Sequence, residues 1–280
     1  MSLQGYFTIT RPANAIAAGL AAAVAYLIAT ATITPASLLL LIIVALITAA
    51  GNVINDYCDA EIDAVNRSDR PIPSGQVARS AALWYSGILF LAGIAVSFAT
   101  TPLCMGIVIF NSLLLVVYAV RLKTTPLFGN VAVAYLAGSM FLFGGAFAGF
   151  TGFVHMIPLA LMTFLAMMVR ELLKDAEDVE GDAACGASTL PIRIGVKKTS
   201  RIAFAFMVLA VITSLLPSAW WGVWYVVGIL LVDAVLIGSA ALALSCETPA
   251  CVRNSGASFF LKYGMFASLI VFALSAVFLG

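Results

Sequence analysis

Residues 12–55 read PANAIAAGLAAAVAYLIATATITPASLLLLIIVALITAAGNVIN and carry no charged side chain over 44 positions. A transmembrane helix needs about 20 apolar residues, so a run of this length holds two such helices and the turn between them. The pair Thr34-Pro35 near the middle of the run marks that turn. The stretch therefore predicts a helical hairpin that crosses a bilayer twice.

The same pattern repeats along the chain. Residues 80–120 and 124–169 are also uncharged, residues 202–246 contain one charge at Asp233, and a last apolar run covers 263–280. The predicted spans lie at roughly 12–32, 36–56, 80–98, 104–121, 130–150, 156–176, 202–216, 221–244 and 258–279, with the turn before the sixth span placed between Gly152 and Pro158. The sequence thus predicts an all-α integral membrane protein with nine transmembrane helices, formed as a single domain over residues 1–280.

The overall composition excludes two large classes of protein. Of the 280 residues 63% are hydrophobic and 10% are charged, whereas soluble domains carry about 25% charged residues. The net charge of +1 does not provide the basic surface that a nucleic-acid-binding protein uses to neutralise phosphates. We therefore expect a protein that meets membrane lipid, with no nucleic acid partner and no obligate protein partner.

The basic residues indicate an orientation. Because a hairpin returns to the side where it starts, the segments 56–79, 121–129, 174–201 and 245–257 share one face with the N-terminus. All 14 Lys and Arg residues lie on that face or in the membrane ends next to it. The positive-inside rule makes this face cytoplasmic and places the C-terminus outside. We predict a multi-pass protein of the cell membrane with its active site at the cytoplasmic face.

Two acidic segments lie on the same face, at the ends of the second and sixth predicted helices. They read Asn52-Val-Ile-Asn55-Asp56-Tyr57-Cys58-Asp59-Ala-Glu61-Ile-Asp63 and Arg170-Glu171-Leu-Leu-Lys174-Asp175-Ala-Glu177-Asp178-Val-Glu180-Gly-Asp182. In each segment three aspartates are spaced by three and then four residues, which places them on one face of a helix with neighbours about 5–6 Å apart. Carboxylates this close repel one another, and burial near a membrane adds to the cost of ionising them. A cation is needed to neutralise them.

Magnesium fits this need better than the nearby basic residues. Only Lys174 lies beside the second cluster, while Arg67 and Arg70 follow the first cluster rather than interleave with it. Mg²⁺ takes one or two carboxylates from a protein and completes its coordination with water and phosphate oxygens, so two facing clusters could hold a diphosphate between them. The alternative is that the acids are solvated residues at helix ends. We favour the metal site because the same spacing occurs twice in a chain with only 13 acidic residues.

The two acidic segments also resemble known signatures. The run Asn55-Asp56-Tyr57-Cys58-Asp59-Ala60-Glu61-Ile62-Asp63, continued by Asn66-Arg67-Ser68-Asp69-Arg70-Pro71-Ile72-Pro73-Ser74-Gly75, resembles the first signature of the UbiA superfamily of intramembrane prenyltransferases. The run Lys174-Asp175-Ala176-Glu177-Asp178-Val179-Glu180-Gly181-Asp182, followed by Ser188-Thr189-Leu190-Pro191 and Gly195, resembles its second. Further matches are Arg11-Pro12-Ala13-Asn14 and the segment from Tyr118 to Lys123 with Gly129-Asn130. The resemblance covers essentially the whole chain.

The resemblance implies an enzyme that transfers an isoprenyl chain from its diphosphate to an acceptor with Mg²⁺ as cofactor. It also implies nine helices in a bundle around a central cavity that opens laterally to lipid. Residues 170–175 and 180–182 are most similar to an archaeal branch with a role in ether-lipid synthesis. That branch attaches a geranylgeranyl group, supplied by geranylgeranyl diphosphate, to the free glycerol hydroxyl of geranylgeranylglyceryl phosphate and releases diphosphate.

Two other functions stay open. Aromatic prenyltransferases of the quinone, chlorophyll or haem pathways share the metal motifs. An ion-coupled transporter is the alternative from another class, but it requires polar residues across the membrane. The outer halves of the predicted helices offer almost none apart from Asp233, which we expect to hydrogen-bond to a neighbouring helix.

Analogy with the family assigns the metal ligands. The principal ligands are expected at Asn55, Asp59, Asp178 and Asp182. Asp63 and Asp175 are expected on the same helical faces and could bind the metal directly or through water. Asp56 is a further candidate, at a position where the family pattern tolerates other residues.

Basic and polar residues complete the expected site. Arg67, Arg70 and Lys123 are candidate contacts to diphosphate, since stabilising charge on the leaving group is the largest catalytic effect available; their alternative role is to anchor helix ends at the inner face. The acceptor phosphate needs separate cations, for which Arg11 and Arg170 are candidates. The alternative for Arg170 is a salt bridge to Glu171 or to a nearby aspartate. The expected substrate-binding residues are Arg11, Asn14, Arg67, Arg70, Tyr118, Lys123, Arg170 and Lys174, and the expected catalytic residues are Asp175 and Lys123.

Proton transfer, cysteines and glycines give the remaining expectations. Either Asp175 or a diphosphate oxygen accepts the proton of the attacking hydroxyl. The five cysteines show no pairing pattern and are expected to be free thiols without a metal role. Small residues permit close helix packing, the role expected for Gly138, Gly144, Gly145 and Gly149.

Overall fold

The computed structural model describes residues 2–32, 34–184 and 186–279, except for the side chains of Val65 and Asn66, and every regular element within these ranges is helical. The α-helices are α1 Leu3–Ile9, α2 Pro12–Thr30, α3 Ser37–Asn66, α4 Arg79–Ser97, α5 Pro102–Val120, α6 Phe128–Phe147, α7 Phe150–Glu177, α8 Val179–Ala184, α9 Leu190–Ile194, α10 Val196–Ser214, α11 Ser218–Leu242, α12 Pro249–Ser255 and α13 Ala257–Phe278. A 3₁₀ turn, Leu122–Thr124, follows α5. The predicted all-α class is confirmed for the described residues.

Eight helices in the described part of the chain are long and apolar enough to cross a membrane: α2 to α7, α11 and α13. They correspond to eight of the nine predicted spans. The remaining prediction, 202–216, falls on α10, a helix of 19 residues whose first two turns carry Lys197, Lys198 and Arg201.

The turn between α6 and α7 lies elsewhere than predicted. It falls at Ala148-Gly149 instead of between Gly152 and Pro158, and Pro158 lies inside α7. The reason is the backbone of Gly149, whose φ of 102° is open to glycine but rarely to other residues. A Cβ placed on Gly149 would meet no atom within 4 Å, so this glycine serves the turn and not helix packing.

The other three glycines for which close packing was predicted all lie in α6 and do allow it. A Cβ on Gly138 would lie 2.6 Å from the carbonyl oxygen of Ala160, and one on Gly145 would lie 2.6 Å from that of Gly152. Gly144 faces the opposite neighbour, with the backbone nitrogen of Tyr26 2.6 Å from such a Cβ. The backbone of α6 is therefore in direct contact with both α7 and α2.

The two helices that carry the acidic segments occupy central positions. α7 packs against α2, α6, α10 and α13, and its residues Leu159, Val169, Leu172 and Leu173 are fully buried. α3 packs against α2, α4 and α5 and continues to Asn66, well past the predicted span. Large apolar side chains cover the outside of the bundle, as in a protein that faces lipid.

The cysteine prediction is wrong for one pair. Cys246 and Cys251 form a disulfide at the corner between α11 and α12. Thr248 caps α12 by accepting a hydrogen bond from the Cys251 amide, which turns the chain back and brings the two Cα atoms to 5.4 Å. Cys58 and Cys104 are free, and Cys185 lies outside the described residues.

Replacing Gly138 by Ala should destabilise the protein, because the added methyl group meets the backbone of α7. We expect a loss of about 1–3 kcal/mol, the usual cost of overpacking. Gly87→Ala is the matched control, since Gly87 also lies within a helix but has no atom within 4 Å of its Cβ position. Thermal unfolding midpoints in detergent should fall for Gly138→Ala and stay unchanged or rise for Gly87→Ala. Equal effects would contradict the packing described for α6 and α7.

Candidate functional site

The first cluster begins with Asn55 and Asp59, one turn apart on α3. The Asn55 amide donates a hydrogen bond to Asp59 Oδ2 over 3.1 Å, while the carbonyl oxygen of Asn55 is buried without a partner. Asp59 also forms an ion pair with Lys123 in the 3₁₀ turn after α5. An amide oxygen and a carboxylate are thus adjacent, and these are the ligand types that Mg²⁺ prefers.

Asp56 and Asp63 are nearly buried, and arginine side chains bind both. Arg70 Nη1 donates to Asp63 Oδ2 over 2.5 Å and lies 3.4 Å from Asp56 Oδ1. Arg11 donates to the same oxygen of Asp56. Arg70 follows this cluster in sequence, but in the structure the loop after α3 folds back and brings it into contact with the aspartates. The corner between α1 and α2 brings Arg11 to Asp56. The expectation that basic residues do not neutralise this cluster is therefore wrong.

The corner that carries Arg11 is held tightly against α3. Arg11 has a φ of 49°, a left-handed conformation that costs a non-glycine residue about 1–3 kcal/mol. Such a conformation persists only where contacts with the surrounding structure hold it. Asn52 donates to the carbonyl oxygen of Thr10 over 2.9 Å, and Asp56 binds the Arg11 side chain. The charge of Arg11 is therefore balanced within the protein.

The spacing predicted that the second cluster lies on one continuous helix, and this prediction is wrong. α7 ends at Glu177, Asp178 leaves the helical conformation, and α8 follows. The last carbonyl groups of a helix lack partners, and here Arg253 of α12 donates to the carbonyl oxygen of Glu177 over 2.6 Å. The break separates Asp175 on α7 from Asp182 on α8.

The second cluster also lacks the arginines that neutralise the first. A neutral amide, that of Asn130, donates to Asp175 Oδ2 over 2.8 Å. Burial raises the pKa of the Asp182 carboxyl, and the charge of Asp178 adds to this effect. Among the described residues, no basic side chain lies within 4 Å of Asp175, Asp178 or Asp182. A bound cation would therefore stabilise the ionised form of these carboxylates.

Arg170 lies just below the second cluster and pairs with its sequence neighbour. Arg170 Nη1 donates to Glu171 Oε1 over 2.7 Å, so the salt bridge considered as its alternative role is confirmed. Lys174 Nζ lies 4.0 Å from the other oxygen of Glu171. Arg170 Nε is buried without a hydrogen-bond partner.

Tyr118, near the end of α5, lies close to acids of both clusters. Its side chain lies within electrostatic range of Asp59 from the first cluster and of Asp175 and Asp182 from the second. A backbone hydrogen bond of 3.0 Å from Ser188 to the Thr124 carbonyl also ties the loop after α8 to the turn that carries Lys123. The acids that are distant in sequence thus border one region.

Two other predicted substrate-binding residues lie at the surface. Asn14 is exposed near the start of α2, where its backbone N–H donates to the carbonyl oxygen of Arg11. Arg67 ends α3 and is exposed, and it has no ion pair in the part of the chain that the structure describes. Their proposed contacts with substrate remain predictions.

The donor set suits a metal that is shared with a diphosphate. In the ranges described, no three His, Cys, Asp or Glu side chains lie close enough to hold a metal ion by themselves. Mg²⁺ needs only one or two carboxylates when phosphate oxygens complete its shell. The unpartnered oxygen of Asn55 next to Asp59, and the unpaired Asp178 and Asp182, provide ligands of this kind.

A cavity of about 390 Å³ lies between α2, α6, α7, α10, α11 and α13. Its wall is mostly apolar, with residues such as Met140, Met162 and Phe272. Arg170 and Lys262 also line it. The cavity has the size and character of a binding site for an apolar chain with a polar end.

Asp233 borders the same cavity and is held by a neighbouring helix, as predicted. Ser214, the last residue of α10, donates to Asp233 Oδ2 over 2.6 Å, and the Tyr225 hydroxyl donates to the Ser214 carbonyl over 2.6 Å. The first bond ties Asp233 to α10, and the second fixes the end of α10 against α11.

Sequence reasoning missed two residues that support the site. Asn130 belongs to the Gly129-Asn130 match, but nothing in the pattern indicated a bond to Asp175. No sequence pattern indicated a role for Arg253, because 76 residues separate it from Glu177.

Comparisons with known proteins agree on the family. A sequence model of the UbiA prenyltransferase family matches residues 16–278. A digeranylgeranylglyceryl phosphate synthase of Methanoregula boonei is 60% identical over 279 residues, covering 100% of both chains. A synthase of the same name from Methanoculleus marisnigri is 59% identical over 278 residues, covering 99% of this chain and 100% of the relative.

Solved structures have the same fold. A digeranylgeranylglyceryl phosphate synthase in membranes superposes with a TM-score of 0.88 at 36% identity, covering 98% of each chain. A UbiA homolog from Archaeoglobus fulgidus, bound to GPP and Mg²⁺, superposes with a TM-score of 0.68 at 18% identity, covering 94% of this chain and 99% of the homolog. At 18% identity the similarity shows a common fold alone.

Replacing Arg70 by Met should destabilise the protein strongly, because it leaves two nearly buried carboxylates without their shared partner. We expect a loss of about 3–5 kcal/mol, as for other broken buried ion pairs. Arg79→Met is the matched control, since the ion pair of Arg79 with Glu61 is exposed and such pairs add little stability. Thermal unfolding in detergent without substrate measures both. A control variant as unstable as Arg70→Met would contradict the structural role of Arg70.

Proposed function

Because this chain belongs to the UbiA prenyltransferase family, we propose that it transfers a geranylgeranyl group from geranylgeranyl diphosphate to the free glycerol hydroxyl of geranylgeranylglyceryl phosphate and releases diphosphate. Relatives that are 59–60% identical over nearly their whole length are named digeranylgeranylglyceryl phosphate synthases. The single observation that supports the chemistry is that acids of both clusters lie within electrostatic range of Tyr118. In this proposal a diphosphate with its metal ions binds between the two clusters.

Asn55, Asp59, Asp178 and Asp182 would hold Mg²⁺ against the diphosphate. The first two offer an unpartnered amide oxygen and a carboxylate, and the last two offer carboxylates with no basic partner in the described chain. When bound, the ion supplies charge neutralisation at the leaving diphosphate. Asp63 and Asp56 contribute mainly by positioning α3, because arginines already bind them.

Lys123 is the residue best placed to bind the leaving diphosphate. Its amino group pairs with Asp59, so a metal bound by Asp59 frees Lys123 to contact a diphosphate oxygen. A positioned cation stabilises the charge that builds on the leaving group as the allylic C–O bond breaks. Arg67, exposed and unpaired among the described residues, can contact the same group from α3.

The glycerol hydroxyl is a weak nucleophile, so we expect the allylic cation to form before the oxygen attacks. Tyr118 borders the region where that cation arises, and the face of an aromatic ring stabilises a cation. Asp175 then accepts the hydroxyl proton, or a diphosphate oxygen does. Asn130 holds one carboxylate oxygen of Asp175 and leaves the other available.

We place the acidic clusters at the cytoplasmic face, with the N-terminus inside and the C-terminus outside. This orientation requires α10 to be the ninth span, which its 19 residues allow at about 1.5 Å per residue. We also propose that the cavity opens laterally to lipid, because Phe266 lines it and is about half exposed on α13. Apolar substrates can enter there from the bilayer.

Asp59→Ala and Asp182→Ala should each lower turnover by about 100-fold or more, because each removes charge stabilisation at the leaving group. Glu180→Ala is the matched control, since Glu180 is an exposed acid within the second segment. Pyrophosphate release from geranylgeranyl diphosphate with Mg²⁺ measures turnover, and the thermal midpoint shows that each variant folds. Full activity in both aspartate variants would refute the metal assignment.

Product analysis separates the branches of the family. We expect the purified protein to convert geranylgeranylglyceryl phosphate to its di-ether and to release pyrophosphate only when this acceptor is present. A preference for 4-hydroxybenzoate would indicate an aromatic prenyltransferase instead. Mg²⁺-dependent ion uptake into vesicles without any transfer product would indicate a transporter.

A further inference from the structure

Two basic side chains line the large cavity at the same depth. Arg170 lies on α7 and Lys262 on α13. The helices meet where Arg253, shortly before α13, binds the Glu177 carbonyl at the end of α7. Arg170 is seven residues before that end and Lys262 is five residues after α13 begins, about 10 and 8 Å along their helices. Both cations therefore lie just below the acidic clusters.

Lys262 has no charge partner in the described part of the chain. Its amino group lies 5.9 Å from the ring centre of the adjacent Tyr263, and no carboxylate lies within 4 Å. A basic residue in a membrane helix either extends to the aqueous border or serves a function in the interior. Lys262 is exposed, but it also lines the cavity wall together with Arg170, and this shared position favours a function.

Arg170 provides an independent sign of a missing ligand. One of its terminal nitrogens binds Glu171, but Nε is buried and has no hydrogen-bond partner. A buried donor without an acceptor is unfavourable, and a ligand that supplies an oxygen removes this penalty.

The cationic groups of the cavity suit a phosphate monoester. Arg170 and Lys262 line the cavity wall, and Glu171 pairs with Arg170, while Asp233 lines the cavity and hydrogen-bonds to Ser214. A phosphate monoester carries about −1.5 to −2 near neutral pH, so it would be attracted to these two cations. The charge of Arg11 is already balanced by Asp56, so it adds little here.

We propose that Lys262 and Arg170 bind the phosphate of the acceptor, and that this site selects a phosphorylated glyceryl ether over an uncharged one. The inference rests on the proposed function, because it takes the acceptor to be a glyceryl ether. On a three-carbon glycerol the phosphate and the free hydroxyl are a few bonds apart, and Arg170 lies about 7.5 Å along α7 from Asp175. A phosphate bound at Arg170 places the hydroxyl at the acidic clusters and the ether chain in the apolar cavity.

The test compares Lys262→Met with two acceptors, geranylgeranylglyceryl phosphate and geranylgeranylglycerol, which lacks the phosphate. With the phosphorylated acceptor we expect KM to rise about 10-fold, the effect of losing one charge-assisted hydrogen bond, while kcat and the KM for geranylgeranyl diphosphate stay within about two-fold. With geranylgeranylglycerol, kcat/KM should be the same for both proteins. Lys262→Arg should restore most of the loss. Lys198→Met, at an exposed lysine outside the cavity, is the control and should change nothing.

Three results would overturn the inference. They are an unchanged KM in Lys262→Met, an equal loss with both acceptors, and a wild-type protein that uses geranylgeranylglycerol as well as the phosphorylated acceptor. The last comparison needs no variant, so it decides the question even if Lys262→Met fails to fold. These results can be distinguished from a failure of the proposed function. In that case wild-type protein would transfer the prenyl group to neither glyceryl acceptor.

Discussion

Charge neutralisation at the inner end of the bundle is the constraint on which the rest of the structure depends. Carboxylates near a membrane are costly unless cations balance them. The protein meets this cost for the first cluster with its own side chains, since Arg11, Arg70 and Lys123 pair with the three aspartates of α3. It does not do so for the three aspartates of the second cluster. The site therefore has two halves. The preformed half is the cluster on α3, where basic side chains already pair with the aspartates, and the other half is the second cluster, which requires an added cation.

The preformed half explains several features of the fold. Three features hold α3 in place. They are the left-handed backbone of Arg11, the hydrogen bond from Asn52 to the Thr10 carbonyl, and the loop after α3, which folds back so that Arg70 binds Asp63. The other half is built on a helix break, so Asp178 and Asp182 project from different elements. A cluster whose charges are already balanced, together with one whose charges are not, suits a diphosphate that arrives with its metal ions. The apolar cavity beside them suits the chains of lipid substrates.

The sequence predicts those features that depend on local pattern. Apolar runs of more than 40 residues identified the hairpins because a span needs a nearly fixed number of apolar residues. The paired aspartate spacing predicted that α3 and α7 carry the candidate site, and the structure shows that both acidic segments begin on these helices. Features set by tertiary contact were not predictable. Arg70 and Arg11 looked like free cations because ion pairs depend on how the chain folds back. The break at Asp178 was hidden because its spacing also fits a continuous helix, and the turn at Gly149 was hidden because Pro158 looked like the stronger helix breaker.

The most direct test of the central claim is a double-mutant cycle on diphosphate binding. The affinity of a non-reactive geranylgeranyl diphosphate analogue, with Mg²⁺ present, is measured for wild type, Asp59→Ala, Asp182→Ala and the double variant. If the two clusters hold one metal-bound diphosphate, either single change removes most of the binding and the double variant loses little more. Losses that add independently, or a single variant that binds like wild type, would show that the clusters do not share a ligand.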